Sequence, residues 1–282
     1  MERSEEIKKL ETIAVKIRMN VIEGIFNAKS GHPGGSLSIA DILSVLYFKE
    51  MNIDEKKPLW KDRDRFVLSK GHTAPAYYAA LALRGYFGVE TIRTLRQINS
   101  PLQGHPDMNK VKGVDMSTGS LGQGLSVANG MALYAKRKNK AFRVYAVLGD
   151  GEIQEGQIWE AAMSAAHYSL DNLIVLLDNN NLQIDGSVDK VMSVYPIKEK
   201  FQAFGWSTLE IDGHNIAEII SALEAAKKIK DKPVMIICKT VKGKGAALME
   251  NKAEWHGAAP NQQQYEEIMD ELKKRLEELG GK

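Results

Sequence analysis

The sequence predicts an α/β fold, a doubly wound and mainly parallel sheet with helices on both faces. Short apolar runs that are typical of buried strands alternate with longer segments of helical periodicity along the 282 residues. Such alternation favours a parallel sheet, because each crossover helix then covers one of its faces. No internal repeat, low-complexity tract or linker divides the chain. We therefore expect one domain that spans residues 1–282.

The first half of the chain is predicted to be mainly helical. Apolar residues recur at helical spacing, and the glycines and proline of residues 30–35 break the first helix. The run Arg65-Phe-Val-Leu68 is short and apolar, as a buried strand is. Turn-forming residues are dense in residues 99–120, which predicts a loop. The predicted helices cover residues 5–27, 38–47 and 73–84.

The second half alternates strands with helices. Its first helix has a glycine-rich start, which permits close approach to a ligand. Its last segment, residues 261–280, carries apolar residues on one face and is predicted to be an amphipathic closing helix. The predicted strands cover residues 144–148, 173–177, 206–211 and 233–239. The other predicted helices cover residues 122–136, 157–168 and 216–229.

The charge and the cysteine content limit which partners and which cellular compartment we expect for the protein. The formal net charge is +2, which is too small to argue for nucleic acid or a membrane surface as a partner. No apolar run has the length of a membrane span, and the N-terminus lacks the apolar stretch of a signal peptide. Cys238 is the single cysteine and is predicted to be buried and inert. A chain without internal disulfides fits a reducing cytoplasm, where we expect the protein.

Polar residues follow two of the predicted strands at the point where each strand ends. Gly149-Asp150-Gly151 follows the first strand, and Asn180 follows the second. Because the carboxyl ends of parallel strands meet at one edge, these two side chains could reach one hard cation through their oxygens. Gly151 would leave its backbone N–H open to a phosphate. The simpler alternative is a tight turn and an ordinary polar loop.

Four of the six histidines lie in separate glycine-flanked loops, which indicates one cleft lined by His32, His72, His105 and His256. Imidazole suits such a cleft, because its ordinary pKa lies near neutrality and it can donate or accept protons there. The other two histidines differ. His167 lies among alanines on a predicted helix and is assigned a structural role, and His214 is predicted to be a solvated turn residue.

The spacing from Gly-Asp-Gly to Asn resembles the thiamine-diphosphate signature, and its extended form resembles transketolases. That form runs from Gly149 to Ala161 and from Asn180 to Gly186. Further motifs occur in the family's order between about residue 10 and residue 260: Ser30-Gly-His-Pro-Gly-Gly35, Ser69-Lys-Gly-His72, Gly104-His-Pro106, Thr118-Gly-Ser-Leu-Gly-Gln-Gly124 and Trp255-His-Gly-Ala-Ala-Pro260. The resemblance implies the thiamine-diphosphate-binding fold, with thiamine diphosphate as cofactor.

The resemblance also implies roles for individual residues. Asp150, the side-chain oxygen of Asn180 and the carbonyl of Leu182 match ligands of Mg²⁺ or Ca²⁺. His72 and His256 match histidines at the diphosphate or the adjoining catalytic space. His32 and His105 match histidines that hydrogen-bond the oxygens of the donor sugar. Glu155 matches an acid at a subunit interface, with an ordinary charge at a helix N-terminus as the alternative. Within the cofactor site, Ile184 matches the apolar side chain that forces the two cofactor rings into a bent arrangement. The full implied cofactor-binding set is His72, Gly119, Ser120, Leu121, Gly149, Asp150, Gly151, Glu155, Asn180, Leu182, Ile184 and His256.

The implied reaction transfers a two-carbon ketol unit from a ketose phosphate to an aldose phosphate, with His256 or His32 assisting removal of the donor's hydroxyl proton. In full-length transketolases a pyrimidine-binding domain and a third domain follow, and this sequence lacks both after Pro260. We therefore expect a split enzyme, in which a separate C-terminal subunit carries those domains and two copies of each chain form an α2β2 heterotetramer. The terminal Gly280-Gly-Lys282 is expected to be a natural end.

Some positions depart from the family's pattern, and other functions remain open. Ser120 stands where proline is common, and Trp255 stands where another residue is common before the histidine. Leu182 replaces a frequent isoleucine, but its carbonyl is unaffected. The alternatives are a 1-deoxyxylulose-5-phosphate synthase-like enzyme, a split transketolase for sulfo- or branched sugars, and a non-catalytic scaffold. The run from Glu155 to Ala161 and the four histidines favour transketolase over the synthase.

Overall fold

A computed structural model describes residues 2–184 and 186–281 of the protein. Asp185, which falls within the predicted site segment, and the terminal residues of the predicted 1–282 domain lie outside the described residues. The helices are α1 (Glu2–Ala28), α2 (Pro33–Ser38), α3 (Ala40–Val45), α4 (Ala74–Arg84), α5 (Gln123–Arg137), α6 (Gly156–His167), α7 (Val188–Val191), α8 (Ile197–Ala203), α9 (Ile216–Ala226) and α10 (Gln262–Glu278). The strands are β1 (Arg65–Leu68), β2 (Val144–Gly149), β3 (Leu173–Asn179), β4 (Leu182–Gln183), β5 (Gly186–Ser187), β6 (Ser207–Asp212) and β7 (Val234–Lys239).

The central sheet has five strands in the order β1-β2-β3-β7-β6, and each neighbouring pair is parallel. The register sets Gly149 of β2 opposite Asp178 of β3. It also sets Asn179 of β3 opposite Lys239 of β7. The loops that follow these strands therefore leave the sheet at one edge, and the predicted mainly parallel sheet is confirmed.

Each face of the sheet has its own hydrophobic core. Successive residues of a strand point to opposite faces, so Tyr145 and Val147 of β2 pack into one core while Ala146 and Leu148 pack into the other. The first core includes residues of α1, α3, α4, α9 and α10, and the second includes residues of α5, α6 and α8. The predicted coverage of both faces is confirmed, and it explains why the strands are continuous apolar runs.

The closing helix α10 packs against α1 through its apolar face. Asn261 accepts the Gln264 N–H at 2.9 Å, and the Gln264 side chain accepts the Asn261 N–H at 3.0 Å, which forms a capping box. Ile268 and Leu272 are buried on the inner face of the helix. No helix among the described residues has both the length and the apolar character that crossing a bilayer requires.

Three regions differ from the sequence prediction. The predicted break at residues 30–35 contains the start of α2, because Pro33 occupies a first helical position, where its missing N–H costs nothing. The helix predicted over residues 38–47 is divided at Ile39 and ends in a π-helical turn, Leu46–Glu50. The antiparallel ribbon β4–β5 and the short helices α7 and α8 were not predicted. Strands of two residues are too short to show a periodicity.

Candidate active site

A cavity of about 400 Å³ opens at the carboxyl edge of the sheet. Its walls come from the loops after β1, β2, β3 and β7, which meet because these strands are neighbours in the sheet. The predicted site residues on its wall are His72, Gly119, Leu121, Gly149, Asp150, Gly151, Glu155, Asn180, Leu182, Ile184 and His256. The fold therefore brings together the strand-end residues, two of the histidines and the glycine-rich loop of residues 118–124.

Asp150 and Asn180 both border the cavity and accept hydrogen bonds from backbone N–H groups of the loops after β2 and β3. One Asp150 oxygen accepts the Gly151 N–H at 2.8 Å, and the other accepts the Asn181 N–H at 2.5 Å. The side-chain oxygen of Asn180 accepts the Leu182 N–H at 3.0 Å. The prediction that Gly151 leaves its N–H open is wrong in this structure, because the Asp150 carboxylate turns back onto that group.

The oxygen atoms of Asp150, Asn180 and Leu182 suit a divalent cation. Asp150 is 2% exposed, and burial together with the nearby Asp178 carboxylate raises its pKa to about 7. A cation beside Asp150 would offset both effects. The available donors are a carboxylate, an amide oxygen and the Leu182 carbonyl, which form the hard oxygen set that Mg²⁺ and Ca²⁺ prefer.

A buried ion pair that was not predicted from the sequence lies beside these residues. The Lys70 Nζ donates to an Asp178 oxygen at 2.5 Å, and both side chains are almost fully buried. Asp178 also accepts the hydroxyls of Ser38, at 2.6 Å, and Thr240, and the Asn180 amide at 3.1 Å. Burial alone would raise the pKa of Asp178, but Lys70 and the hydroxyls hold it below its ordinary value. The pair therefore joins the ends of β1, β3 and β7 to α2.

Lys242 is a second buried cation on the wall, and it also was not predicted. Its Nζ lies 3.4 Å from the Leu182 carbonyl oxygen and 3.0 Å from His256 Nδ1. Burial, followed by the like charge of Lys70, lowers its pKa to about 8. The side chain therefore remains mostly protonated at neutral pH. The signal available in the sequence was a lysine followed by a glycine shortly after the last strand, at the same edge of the sheet.

Three of the four predicted histidines form one cluster. The ring centroids of His32, His72 and His256 lie 5.1 to 5.4 Å apart. Burial and neighbouring cations lower the pKa to about 4 for His32 and His256 and to about 2 for His72. All three rings are therefore neutral at pH 7.

Two cationic side chains set the tautomers of this cluster. Arg96 Nη2 lies 3.4 Å from His32 Nδ1, and Lys242 Nζ lies 3.0 Å from His256 Nδ1. Because arginine and protonated lysine can only donate, each Nδ1 accepts and the ring proton sits on Nε2. His32 and His256 thus carry an Nε2–H donor, which favours hydrogen bonding to a ligand oxygen over the proton removal that the resemblance implied.

His105 and the glycine-rich loop form the outer part of the site. The His105 ring lies against Gly119, where an added Cβ would come within 3.0 Å of it. Burial and then Arg96 lower the pKa of His105, although the residue as a whole is exposed. Gly119 and Leu121 line the cavity, whereas Ser120 between them is exposed and lies outside its wall.

Two glutamates near the start of α6 differ in their surroundings. Glu155 is exposed, borders the cavity and precedes α6 without a side-chain cap bond. Glu152, which was not predicted, accepts the Ser69 hydroxyl at 2.5 Å and the Gly122 N–H at 3.0 Å. Burial raises the pKa of Glu152. Glu152 therefore ties the loops of the site together, and Glu155 faces outward.

Three further predictions concern single side chains. Ile184, at the tip of the β4–β5 ribbon, lines the cavity with 68% of its surface exposed. Cys238 is buried as predicted, and burial raises its pKa. The prediction that His214 is a solvated turn residue is wrong, because its ring nitrogens bond Asp41 and the backbone of Val241, each at 2.8 Å.

The chain is similar in sequence to a known protein family and to several characterised proteins. The family model described as transketolase, thiamine diphosphate binding domain, matches residues 10–276. The chain is 47% identical over 271 residues to a 6-deoxy-6-sulfo-D-fructose transketolase subunit of Clostridium sp. (strain MSTE9), with 96% of this chain and 98% of that protein covered. It is 41% identical over 274 residues to an apulose-4-phosphate transketolase subunit of Phocaeicola vulgatus, with 97% of each covered.

Other similar proteins are much longer than this chain. The chain is 40% identical to the transketolase of Homo sapiens, and the match covers 97% of this chain but 43% of that protein. The crystal structure of transketolase from Campylobacter jejuni matches with a TM-score of 0.88 at 37% identity, over 95% of this chain and 42% of that chain. The similarity thus covers less than half of each of these longer proteins.

Proposed function

The chain belongs to the transketolase family, and we propose that it is the thiamine-diphosphate-binding subunit of a two-chain transketolase. Two relatives that it matches over nearly their full lengths are named as transketolase subunits, whereas it spans 43% of the Homo sapiens enzyme. In this proposal one domain over residues 1–282 binds the diphosphate, and a separate C-terminal subunit supplies the pyrimidine-binding domain. An α2β2 heterotetramer in the cytoplasm is the simplest symmetric assembly.

The observation that carries the proposal is the pairing of oxygen donors with a buried ammonium group in the cavity. Asp150, the Asn180 side-chain oxygen and the Leu182 carbonyl would hold Mg²⁺ or Ca²⁺. Lys242 Nζ lies 3.4 Å from the same Leu182 oxygen. A diphosphate requires both a metal ion and further positive charge, and charge-assisted hydrogen bonds from a buried amine supply the latter.

The walls of the cavity suit a cofactor with flat rings. An added Cβ on Gly151 would lie 3.2 Å from Gln183 Oε1, so a larger residue at this position would crowd the β4–β5 ribbon at the cavity wall. We assign Gly119 and Leu121 to the rings of the cofactor and Ile184 to its bent conformation. We assign Glu155, exposed at the rim, to the contact with a second subunit.

The residues of this chain would orient the sugar. When bound, thiamine diphosphate supplies the electron sink for carbon–carbon bond cleavage. His32 and His256 would donate their Nε2–H groups to hydroxyl and carbonyl oxygens of the donor. His72 packs against both rings from the cavity wall, and His105 would meet a sugar hydroxyl at the rim. Their lowered pKa values keep the rings uncharged near neutral pH, so each holds a polar group without adding charge.

The proposed reaction transfers a two-carbon ketol unit from a ketose phosphate to an aldose phosphate. A second candidate is the same transfer with a sulfo- or branched sugar. The full-length relatives at 47% and 41% identity favour it, because they are named for 6-deoxy-6-sulfo-D-fructose and for apulose-4-phosphate. In both cases the site residues of this chain have the same roles.

The test begins by isolating the protein from its native source with its bound companions and identifying the partner chain. Ketol transfer is then measured for each chain alone and for both together, with thiamine diphosphate and Mg²⁺, using fructose 6-phosphate and 6-deoxy-6-sulfofructose as competing donors. We expect activity from the mixture alone, and the preferred donor decides between the two candidates. Full activity from this chain by itself would contradict the two-chain proposal. Calorimetry that shows no cofactor binding with or without the partner would favour the scaffold.

A further inference from the structure

A chain of polar contacts runs from α1 to the loop after β7. Arg18 donates to both oxygens of Asp41, at 3.2 and 2.5 Å, and the side chains of the pair are 7% and 8% exposed. Asp41 then meets His214 Nδ1 at 2.8 Å. Burial would raise the pKa of Asp41, but Arg18 and His214 hold it below its ordinary value. The carboxylate is therefore charged and can accept from both neighbours.

The next bond fixes the tautomer of His214. The backbone N–H of Val241 donates to His214 Nε2 at 2.8 Å. A nitrogen that accepts from an amide carries no proton, so the ring proton sits on Nδ1 and is donated to Asp41. His214 thus has one defined orientation. Asp41 sets its tautomer at Nδ1, and Nε2, at the opposite edge of the ring, accepts the Val241 N–H.

Val241 leads directly to Lys242 of the candidate active site. The Lys242 backbone is confined from both sides, because the next residue, Gly243, donates its N–H to the Gly34 carbonyl at 2.9 Å. An added Cβ on Gly34 would lie 2.9 Å from Lys242 Cγ, so the lysine stem packs directly on α2. The Lys242 side chain is then long enough to place its Nζ 3.0 Å from His256 Nδ1. The orientation of the ammonium group depends on where this short loop is held.

We propose that His214 is a positioning residue that holds the Val241 amide and thereby places Lys242 in the cavity. Asp41 and Arg18 act one step further back by fixing the tautomer that lets His214 Nε2 accept. The anchoring of the loop stands on geometry alone. Its consequence for the cofactor rests on the proposed function, in which Lys242 contributes positive charge at the diphosphate.

Two variants separate the two bonds of the imidazole. In His214→Asn the side-chain amide occupies the place of Nδ1 and can still bond Asp41, but it is too short to reach Val241. In His214→Gln the side-chain oxygen occupies the place of Nε2 and can still accept the Val241 N–H. A role in packing alone predicts similar behaviour for both variants. A role in anchoring predicts that Gln rescues what Asn loses.

The first measurement needs no ligand. Amide hydrogen exchange of Val241 in the full chain should be at least about tenfold faster in His214→Asn than in the wild type, since an amide that loses its hydrogen-bond acceptor also loses its protection. His214→Gln should stay within about threefold of the wild type. Histidine ¹⁵N spectra of the wild type should show a proton on Nδ1 and none on Nε2 of His214. Equal exchange in all three proteins, or a protonated Nε2 at pH 7.5, would overturn the anchoring.

The second measurement tests whether the loss of the His214–Val241 bond weakens cofactor binding. For the chain with its partner subunit, calorimetry with thiamine diphosphate and Mg²⁺ should show about tenfold weaker binding for His214→Asn than for the wild type. In the Lys242→Met background the same change should cost less than about twofold, because the energies of two residues that act through one another are not additive. An equal loss in both backgrounds would show that His214 does not act through Lys242. If the wild type with its partner subunit binds no cofactor, the proposed function fails, and the exchange experiment still decides whether His214 anchors the loop.

Discussion

Asp150 and Asp178 stand at the ends of neighbouring strands, and both are buried, with 2% and 0% of their surfaces exposed. Their electrostatic surroundings are opposite. Asp178 has Lys70 and two hydroxyls against it, which hold its pKa down in spite of burial. Asp150 accepts two backbone N–H groups, and burial together with the charge of Asp178 raises its pKa to about 7.

The difference distinguishes a structural carboxylate from one that suits a ligand. A buried carboxylate with an ion-pair partner and hydroxyl donors is satisfied within the fold and holds loops together. A buried carboxylate with a raised pKa at the wall of a cavity gains most from an added cation. Two aspartates near the same sheet edge can therefore have different roles, and position along the strand does not distinguish them.

The largest expected effect comes from removing the ion-pair partner of Asp178. Lys70→Met leaves a buried carboxylate without its counter-charge and should lower the free energy of unfolding by about 3–5 kcal/mol. Urea denaturation monitored by circular dichroism measures this change. Lys239→Met, at an exposed lysine of β7, is the matched control and should change stability by less than about 0.5 kcal/mol. A loss below about 1 kcal/mol in Lys70→Met would show that this pair does not hold the loops.

A matched pair of aspartate variants tests the comparison directly. In EDTA at pH 8, Asp178→Asn should be strongly destabilised, because Lys70 then becomes a buried charge without a partner. Asp150→Asn should be much less destabilised, because the amide loses one of the two backbone N–H bonds but also removes the cost of a charged buried carboxylate. Denaturant midpoints of the three proteins give the result. Equal destabilisation by the two substitutions would remove the distinction between the two strand ends.

The histidine cluster should give a smaller effect that depends on pH. The pKa of His72 is lowered to about 2 in the folded chain, against about 6.5 in the unfolded chain. Between these values the unfolded state binds more protons, so stability is fully present above about pH 6.5 and is lost as the pH falls. His72→Asn should therefore flatten the decline in unfolding free energy between pH 6.5 and pH 4. An unchanged slope in His72→Asn relative to the wild type would contradict the lowered pKa.

The smallest effect on stability is expected at the tip of the ribbon. Ile184 is mostly exposed, so Ile184→Ala should change the free energy of unfolding by less than about 0.5 kcal/mol. In the complete enzyme it should lower kcat, since we assign this side chain to the bent conformation of the cofactor. Val191→Ala, at another exposed residue near the ribbon, is the control for both measurements. Unchanged kcat in Ile184→Ala would remove the assigned role.

The strand ends could be predicted because strands and their ends leave a local signal. Apolar runs mark β2 and β3, and Asp150 and Asn180 follow those runs directly. Side-chain alternation and parallel pairing then bring the two loops to one edge. The ribbon β4–β5 could not be predicted in this way, because strands of two residues show no periodicity and depend on tertiary contacts.

The buried polar partners could not be predicted for a different reason. Lys70, Lys242 and Glu152 are charged residues in loop-like sequence, where a solvated side chain is the ordinary expectation. Each is buried only because loops that are far apart in sequence meet over the cavity, as when Glu152 accepts the Ser69 hydroxyl and the Gly122 N–H. The contact of His214 could not be predicted for the same reason, because its partner Asp41 lies 173 residues away in the sequence.

The most direct test of the metal–diphosphate site is a crystal structure of the chain with its partner, grown with thiamine diphosphate and Mn²⁺ in place of Mg²⁺. We expect an anomalous peak within about 2.5 Å of an Asp150 carboxylate oxygen, the Asn180 side-chain oxygen and the Leu182 carbonyl oxygen. We also expect diphosphate density between this peak and Lys242. Cofactor density with the metal peak elsewhere, or with no peak at these three oxygens, would contradict the account.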